Sequence, residues 1–127
     1  MPLRRRAIGP AVAAAILLVA GCRDDPTPRP PGADVGDPAA GADAIEAYGC
    51  GACHRIPGIR RADSLVAPPL EGWGHRTFIA GTLANDLENL VRWIRDPDSV
   101  EPGTAMPDLG VTDADARDIA AYLLSLR

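Results

Sequence analysis

Lysine is absent from this 127-residue chain, and its 13 arginines face 17 acidic residues. That balance leaves no basic patch for nucleic acid, and its ordinary meaning is solubility. Long hydrophobic runs are missing too. The longest, from Ala7 to Ala20, has 14 residues, whereas the hydrocarbon core of a bilayer asks for about 20. No stretch alternates apolar and polar residues long enough to mark a strand, which argues against an alternating strand–helix fold. No acid–base pair or activated nucleophile stands out, since Asp63, Ser64 and Glu71 read as ordinary loop residues, and the chain is not expected to be an enzyme. Metal-ligand side chains are few: three Cys, two His and two Met, one of them Met1.

What is there is concentrated in Cys50-Gly51-Ala52-Cys53-His54. C-x-x-C-H is the pattern by which a haem is bonded covalently to a polypeptide. Two thiols three positions apart can add to the two vinyl groups on one edge of the porphyrin, and His54 is then delivered to the iron as its proximal ligand. Two rivals share the C-x-x-C. A zinc site needs two further ligands, for which only Cys22 and His75 remain. A dithiol redox pair belongs with a strand–helix alternation that the chain lacks. One haem c is the expected cofactor. Its sixth ligand is expected to be Met106, the one thioether left beyond Met1, because sulfur ligation is common in electron carriers and raises the potential. Met106 stands between Pro102-Gly103 and Pro107, in a loop and not on the apolar helical stripe that a core-filling methionine would occupy. His75 is the competing ligand, with a solvated loop histidine as its simpler role.

The N-terminus reads as an export signal: Arg4-Arg5-Arg6, the apolar run, then small residues before Cys22. Leu18-Val19-Ala20-Gly21-Cys22 resembles the lipobox of bacterial lipoproteins, whose cysteine is lipidated and becomes the new N-terminus. The expected division is therefore 1–21 signal peptide, 22–36 lipidated Cys22 and tether, and 37–127 one folded domain. Cleavage without lipidation and an uncleaved anchor are the alternatives. Residues 23–36 hold four prolines and almost nothing to bury; extended, they reach roughly 40 Å. Such a tether raises the effective concentration of the domain near partners in the same membrane. Without Arg4, Arg5 and Arg6, ten arginines face the 17 acids, a net charge of −7.

Residues 37–127 make a small core that a large buried cofactor would complete. Three helices are predicted. The first is capped by Asp37 with Pro38 in its first turn and runs to about Tyr48. The second starts near Asn85, where Asn85-x-x-Glu88 looks like a capping box, places Leu87, Leu90, Val91 and Ile94 on one face, and stops at Asp96-Pro97. The third starts at Thr112-x-x-Asp115 and carries Ala116, Ile119, Ala120, Leu123 and Leu126 at helical spacing. Residues 55–82, rich in Gly and Pro, are expected to form a long loop with at most short helical turns, wrapped against the cofactor.

Together these features resemble the class I c-type cytochromes, single-haem electron carriers with an all-α fold of three to four helices and a long loop, over Gly41 to Arg127. The resemblance implies that the N- and C-terminal helices cross with Gly41 meeting Tyr122, Ile45 replacing the more usual aromatic. It implies that Pro68, in Val66-Ala67-Pro68-Pro69-Leu70, accepts a hydrogen bond from His54, with Ala67 where the family has glycine. It also implies that Arg76 and Trp93 meet the haem propionates. The lysine-rich docking ring of mitochondrial-type carriers is missing, so a partner must be locally basic or engage apolar contacts at the haem edge. Asn89-Leu90-Val91-Arg92-Trp93-Ile94-Arg95-Asp96-Pro97 with Pro102-Gly103-Thr104-Ala105-Met106-Pro107 resembles the cytochrome domain fused to subunit II of some haem-copper oxidases. No copper-site residues accompany it. The expected function is electron transfer by an exported, membrane-tethered monomer, facing the periplasm or the outer face of the cytoplasmic membrane and serving membrane redox complexes. The alternatives are a dedicated subunit of a larger complex, or a gas-binding or peroxide-reactive haem protein with an open sixth site.

Overall fold

The computed structural model describes residues 35–127. The proposed signal peptide, Cys22 and nearly all of the tether lie outside the described residues. No helix of the described part is long and apolar enough to cross a membrane.

Helix α1 spans Pro38–Ala47. Asp37 caps it by accepting from the Ala39 amide at 2.8 Å, and Pro38 at the first position forgoes an amide that would have had no partner. Its buried residues, Gly41 and Ile45, stand one turn apart and form a narrow stripe. That stripe crosses α4, Asp113–Ser125, which is capped by Thr112 and buries Ala116, Ile119, Ala120 and Leu123. At the crossing the two backbones nearly touch: a Cβ on Gly41 would lie 2.0 Å from the Asp118 carbonyl oxygen. Buried Asp118 accepts from the Asp37 amide at 2.8 Å and ties the start of α1 to α4. The atoms nearest the glycine are main chain of Asp118 and Ile119, and Tyr122, one turn beyond Asp118, donates its hydroxyl to the Pro57 carbonyl at 2.6 Å.

Helix α2 spans Leu87–Arg95 and buries Leu90, Val91 and Ile94. Its cap is Asp86, one residue later than expected, accepting from the Asn89 amide at 2.9 Å. Asn85 is used elsewhere, as described below. Asp96-Pro97 ends α2 and also opens a further turn, α3 at Pro97–Val100, because Asp96 accepts from the Ser99 amide at 3.2 Å and Pro97 again suits a first position. Residues 55–82 hold a short helical turn of the kind expected, a 3-10 turn at Trp73–His75. Beyond expectation, strand β1, Phe78–Ile79, pairs antiparallel with β2, Leu83–Ala84. Two-residue strands are too short to show alternation. The pair forms because Ile79 is fully buried and because Ala80 and Gly81 take positive φ in the three-residue connection.

Between α2 and α4, Arg117 donates to both carboxylate oxygens of Glu88 at 2.7 and 3.1 Å, and to Asp113 at 3.0 Å. Arg117 accordingly holds the Glu88 carboxyl below its usual range. A depressed folded value stabilises the protein above the unfolded glutamate value of about 4.3. That contribution disappears as pH falls through the depressed value. Parent and Glu88→Gln should therefore differ in urea stability at neutral pH and converge on acidification. Added salt should shrink the difference, since Glu88 is largely exposed. Curves that stay parallel down to pH values well below the unfolded one would refute this role for the pair.

Candidate haem-binding site

Gly49, at φ 72°, ends α1 in the left-handed region and turns the chain into a 3-10 turn at Cys50–Ala52. The Cys50 carbonyl then accepts from the amides of Cys53 at 3.3 Å and His54 at 3.1 Å. The helix crossing thereby presents Cys50, Cys53 and His54 on one short, hydrogen-bonded unit. Both thiols are half-buried and neither is in a disulfide. Burial pushes the Cys50 thiol up from its ordinary pKa, and the neighbouring Cys53 adds to the shift. An exchange-active dithiol needs the opposite, a thiolate stabilised by a positive environment. Among the described residues no three His, Cys, Asp or Glu side chains come together as a metal cluster.

His54 Nδ1 lies 2.7 Å from the Pro68 carbonyl oxygen. A carbonyl can only accept, so the proton sits on Nδ1 and the Nε2 lone pair is left for a metal. The strand of chain carrying Pro68 is pinned on both sides of the motif. The Ala67 amide donates to Cys53 and the Leu70 amide to Arg55, both at 2.8 Å. Beside it Leu65 and Val66 are 66% and 81% exposed, apolar surface directly flanking the attachment turn. Two free thiols, an imidazole of fixed tautomer and adjoining apolar side chains are the donor set and wall that a covalently held haem requires. The residues present fit the group.

The remaining candidates are dispersed. Arg76 follows the Trp73–His75 turn, stacks its guanidinium 4.6 Å from the centre of the Trp73 ring and donates to the Pro69 carbonyl. Trp93 is half-buried on α2, packed against the core. Met106 is half-buried in the loop between α3 and α4, its amide donating to Thr104 Oγ1 at 3.3 Å. That loop is anchored by the Gly103 amide donating to Asp98 at 2.8 Å. His75 is exposed at the end of its turn. Hydrogen bonds thus join Cys50, Cys53, His54, Pro68 and, through the adjacent Pro69, Arg76. Met106 and Trp93 make no hydrogen bond to that unit. A surface groove lined by Val91, Arg92, Arg95, Asp113 and Arg117 contains none of these residues.

Two residues of the site were not legible beforehand, Trp73 and Asn85. Trp73 is buried, donates from its indole to Asn85 at 3.1 Å and carries Arg76 on its face. No periodicity marks a lone tryptophan in a Gly-rich turn, and Asn85 was disguised by its plausibility as a cap.

Comparison with known proteins agrees with this geometry. The Cytochrome c family model matches residues 38–127. Cytochrome c oxidase subunit 2 of Alkalihalophilus pseudofirmus is 38% identical over 88 residues, covering 68% of this chain and 25% of that protein. The subunit 2 of Bacillus sp. strain PS3 is 38% identical over 89 residues, covering 67% and 25%. That of Bacillus subtilis strain 168 is 32% identical over 91 residues, covering 68% and 26%. The chain therefore spans about a quarter of the length of these relatives. With four helices and a minimal two-strand pair among the described residues, and a family model that matches residues 38–127, the chain belongs to the cytochrome c family, the haem-based electron carriers.

Proposed function

We propose that this chain is a single-haem electron carrier, tethered to the membrane after export and exchanging single electrons with membrane redox complexes, in which His54 and Met106 are the axial ligands. The observation that carries the reading is the Nδ1-protonated His54, held on Pro68 immediately beside two free thiols. Cys50 and Cys53 would hold the porphyrin edge, and a haem bound there would supply one reversible one-electron step at its iron. Pro68 orients the imidazole and raises its basicity, as carbonyl partners of ligating histidines do. Arg76 and Trp93 would meet the propionates, Arg76 through the donors it does not spend on Pro69. Leu65 and Val66, both exposed, would offer apolar contact to a porphyrin held beside the turn.

The lipobox-like Leu18-Val19-Ala20-Gly21-Cys22 supports export with lipidation at Cys22 and hence tethering, which would account for a Pro-rich segment with nothing to bury. Likeness to oxidase subunits supports a partner in a membrane redox complex, since the relatives are named as such subunits. A fixed subunit of a larger complex is the second reading, favoured by the same likeness. Co-purification with a large partner in detergent would select it over a monomeric shuttle.

The test is the visible spectrum of the full chain produced in cells that attach haem. A low-spin spectrum whose haem resists acid–acetone extraction is expected, and Cys50→Ser with Cys53→Ser should make any haem extractable. A high-spin spectrum shifted by carbon monoxide would replace the carrier with a ligand-binding or peroxide-reactive protein.

A further inference from the structure

Asn85 lies 31 positions from His54 in sequence, yet its side chain is the far end of a chain of contacts that ends at the His54 ring. Its Oδ1 accepts from the Trp73 indole at 3.1 Å, and its Nδ2 donates to the carbonyls of Trp73 at 2.9 Å and Arg76 at 3.0 Å. Both donors of the amide and its oxygen are thereby engaged. The adjacent Asp86 does the helix capping, so capping does not explain these bonds. They hold the turn at Trp73–His75 so that Arg76 lies over the Trp73 ring and donates to the Pro69 carbonyl.

The Pro69 carbonyl and the Leu70 amide belong to one rigid peptide plane. That plane is gripped at both ends, by Arg76 on its oxygen and by the Arg55 carbonyl on its N–H at 2.8 Å. On the other side of Pro68, the Ala67 amide is gripped by the Cys53 carbonyl at 2.8 Å. Between these two grips stand two consecutive prolines whose ring closure fixes φ. Few torsions remain free, and the direction of the Pro68 carbonyl is set with them. That carbonyl is the partner of His54 Nδ1.

We infer that Asn85 and Arg76 are positioning residues for His54, acting through the Pro69–Leu70 peptide on the Pro68 carbonyl. The inference rests on the haem reading given above, and it goes beyond it by assigning Arg76 a role on the histidine side, apart from any propionate contact. Partners that fix the ring and tautomer of a ligating histidine tune the metal as well as the ligand.

The test uses the full chain loaded with haem, and reads the solvent exchange of the His54 Nδ1 proton by NMR together with the reduction potential. Asn85→Asp keeps the shape and the acceptor but loses both donated bonds. It should speed that exchange roughly tenfold or more, about the protection one hydrogen bond confers, and shift the potential. Arg76→Ala should act in the same direction. The double variant should do little more than the larger single, because both act along one path. Asn89→Ala, which removes contacts to Ala84 and Asp86 at the same helix start, should leave both readouts at parent values.

Exchange within about twofold of the parent in folded, haem-loaded Asn85→Asp, additive effects in the double variant, or an equal effect of Asn89→Ala would each overturn the inference. So would failure of Asn85→Asp to fold, which would make Asn85 a residue of global stability. A parent chain that carries no haem would instead sink the functional reading, and the two failures are told apart by the haem content of the parent.

Discussion

Adding one methyl group at Gly41 should cost about 3 kcal/mol or more, the upper end of what overpacking a core does. Alanine ordinarily stabilises a helix interior relative to glycine by about 1 kcal/mol, so the expected sign is opposite to that of helix propensity. The reason is the crossing of α1 and α4. A Cβ at Gly41 would stand 2.0 Å from the Asp118 carbonyl oxygen and 2.5 Å from its carbon. These are backbone atoms inside a helix and cannot swing aside as a side-chain tip can. The helices must separate, which uncovers Ile45, Ile119 and Ala120 and strains the Asp37–Asp118 hydrogen bond. A loss of this size is a large share of a typical domain's 5–15 kcal/mol, roughly a third of the middle of that range. Urea unfolding of Gly41→Ala measures it. A variant as stable as the parent would mean that the helices do not cross at this glycine.

Met106→Ala should do the reverse, changing the cofactor strongly and the fold little. The side chain is half-buried in a loop held by Asp98 and Thr104, so its removal opens no large cavity. If its sulfur is the sixth ligand, the variant should lose the weak far-red band of sulfur-to-ferric-iron ligation. Its potential should fall by a sizeable fraction of the roughly 0.8 V that axial ligands span in haem proteins. Spectrum and redox titration measure both, and circular dichroism should show the helices intact. A parent that lacks this band, with a spectrum and potential that Met106→Ala leaves unchanged, would place the sixth ligand elsewhere. His75, exposed on the turn beside Arg76, is then the first residue to replace.

Much of the molecule was readable from its residues because the signals are local. Asp37-Pro38 and Thr112-x-x-Asp115 act within one turn, so the first and last helices begin where their caps stand. Leu90, Val91 and Ile94 repeat at the helical period and are buried as that period requires. C-x-x-C-H needs no fold to be recognised, because both thiols and the imidazole are neighbours in sequence. The three residues do sit on one hydrogen-bonded turn.

What was misread is equally instructive. Asn85 and Asp86 are both good caps, and local chemistry could not choose between them. The choice was made by Trp73, twelve residues away, which takes the Asn85 side chain and leaves the capping to Asp86. Gly41 was recognisable as a close-packing glycine, but the main-chain atoms of Asp118 nearest to it were not. Where Tyr122 sends its hydroxyl depends on the position of Pro57, a loop carbonyl with no signature. The short strands around Ala80 and Gly81 have too few residues for a pattern to exist.

Residue order alone fixed the C-x-x-C-H motif, the helical class of the fold and the ends of its first and last helices, since each depends on residues within a few positions of one another. Tertiary structure alone decided how closely α1 and α4 approach, which residue caps α2, and how Asn85, Trp73, Arg76 and Pro69 come to stand behind His54. Those are contacts between segments far apart in the chain, whose energies exist only after the backbone has brought them within hydrogen-bond reach.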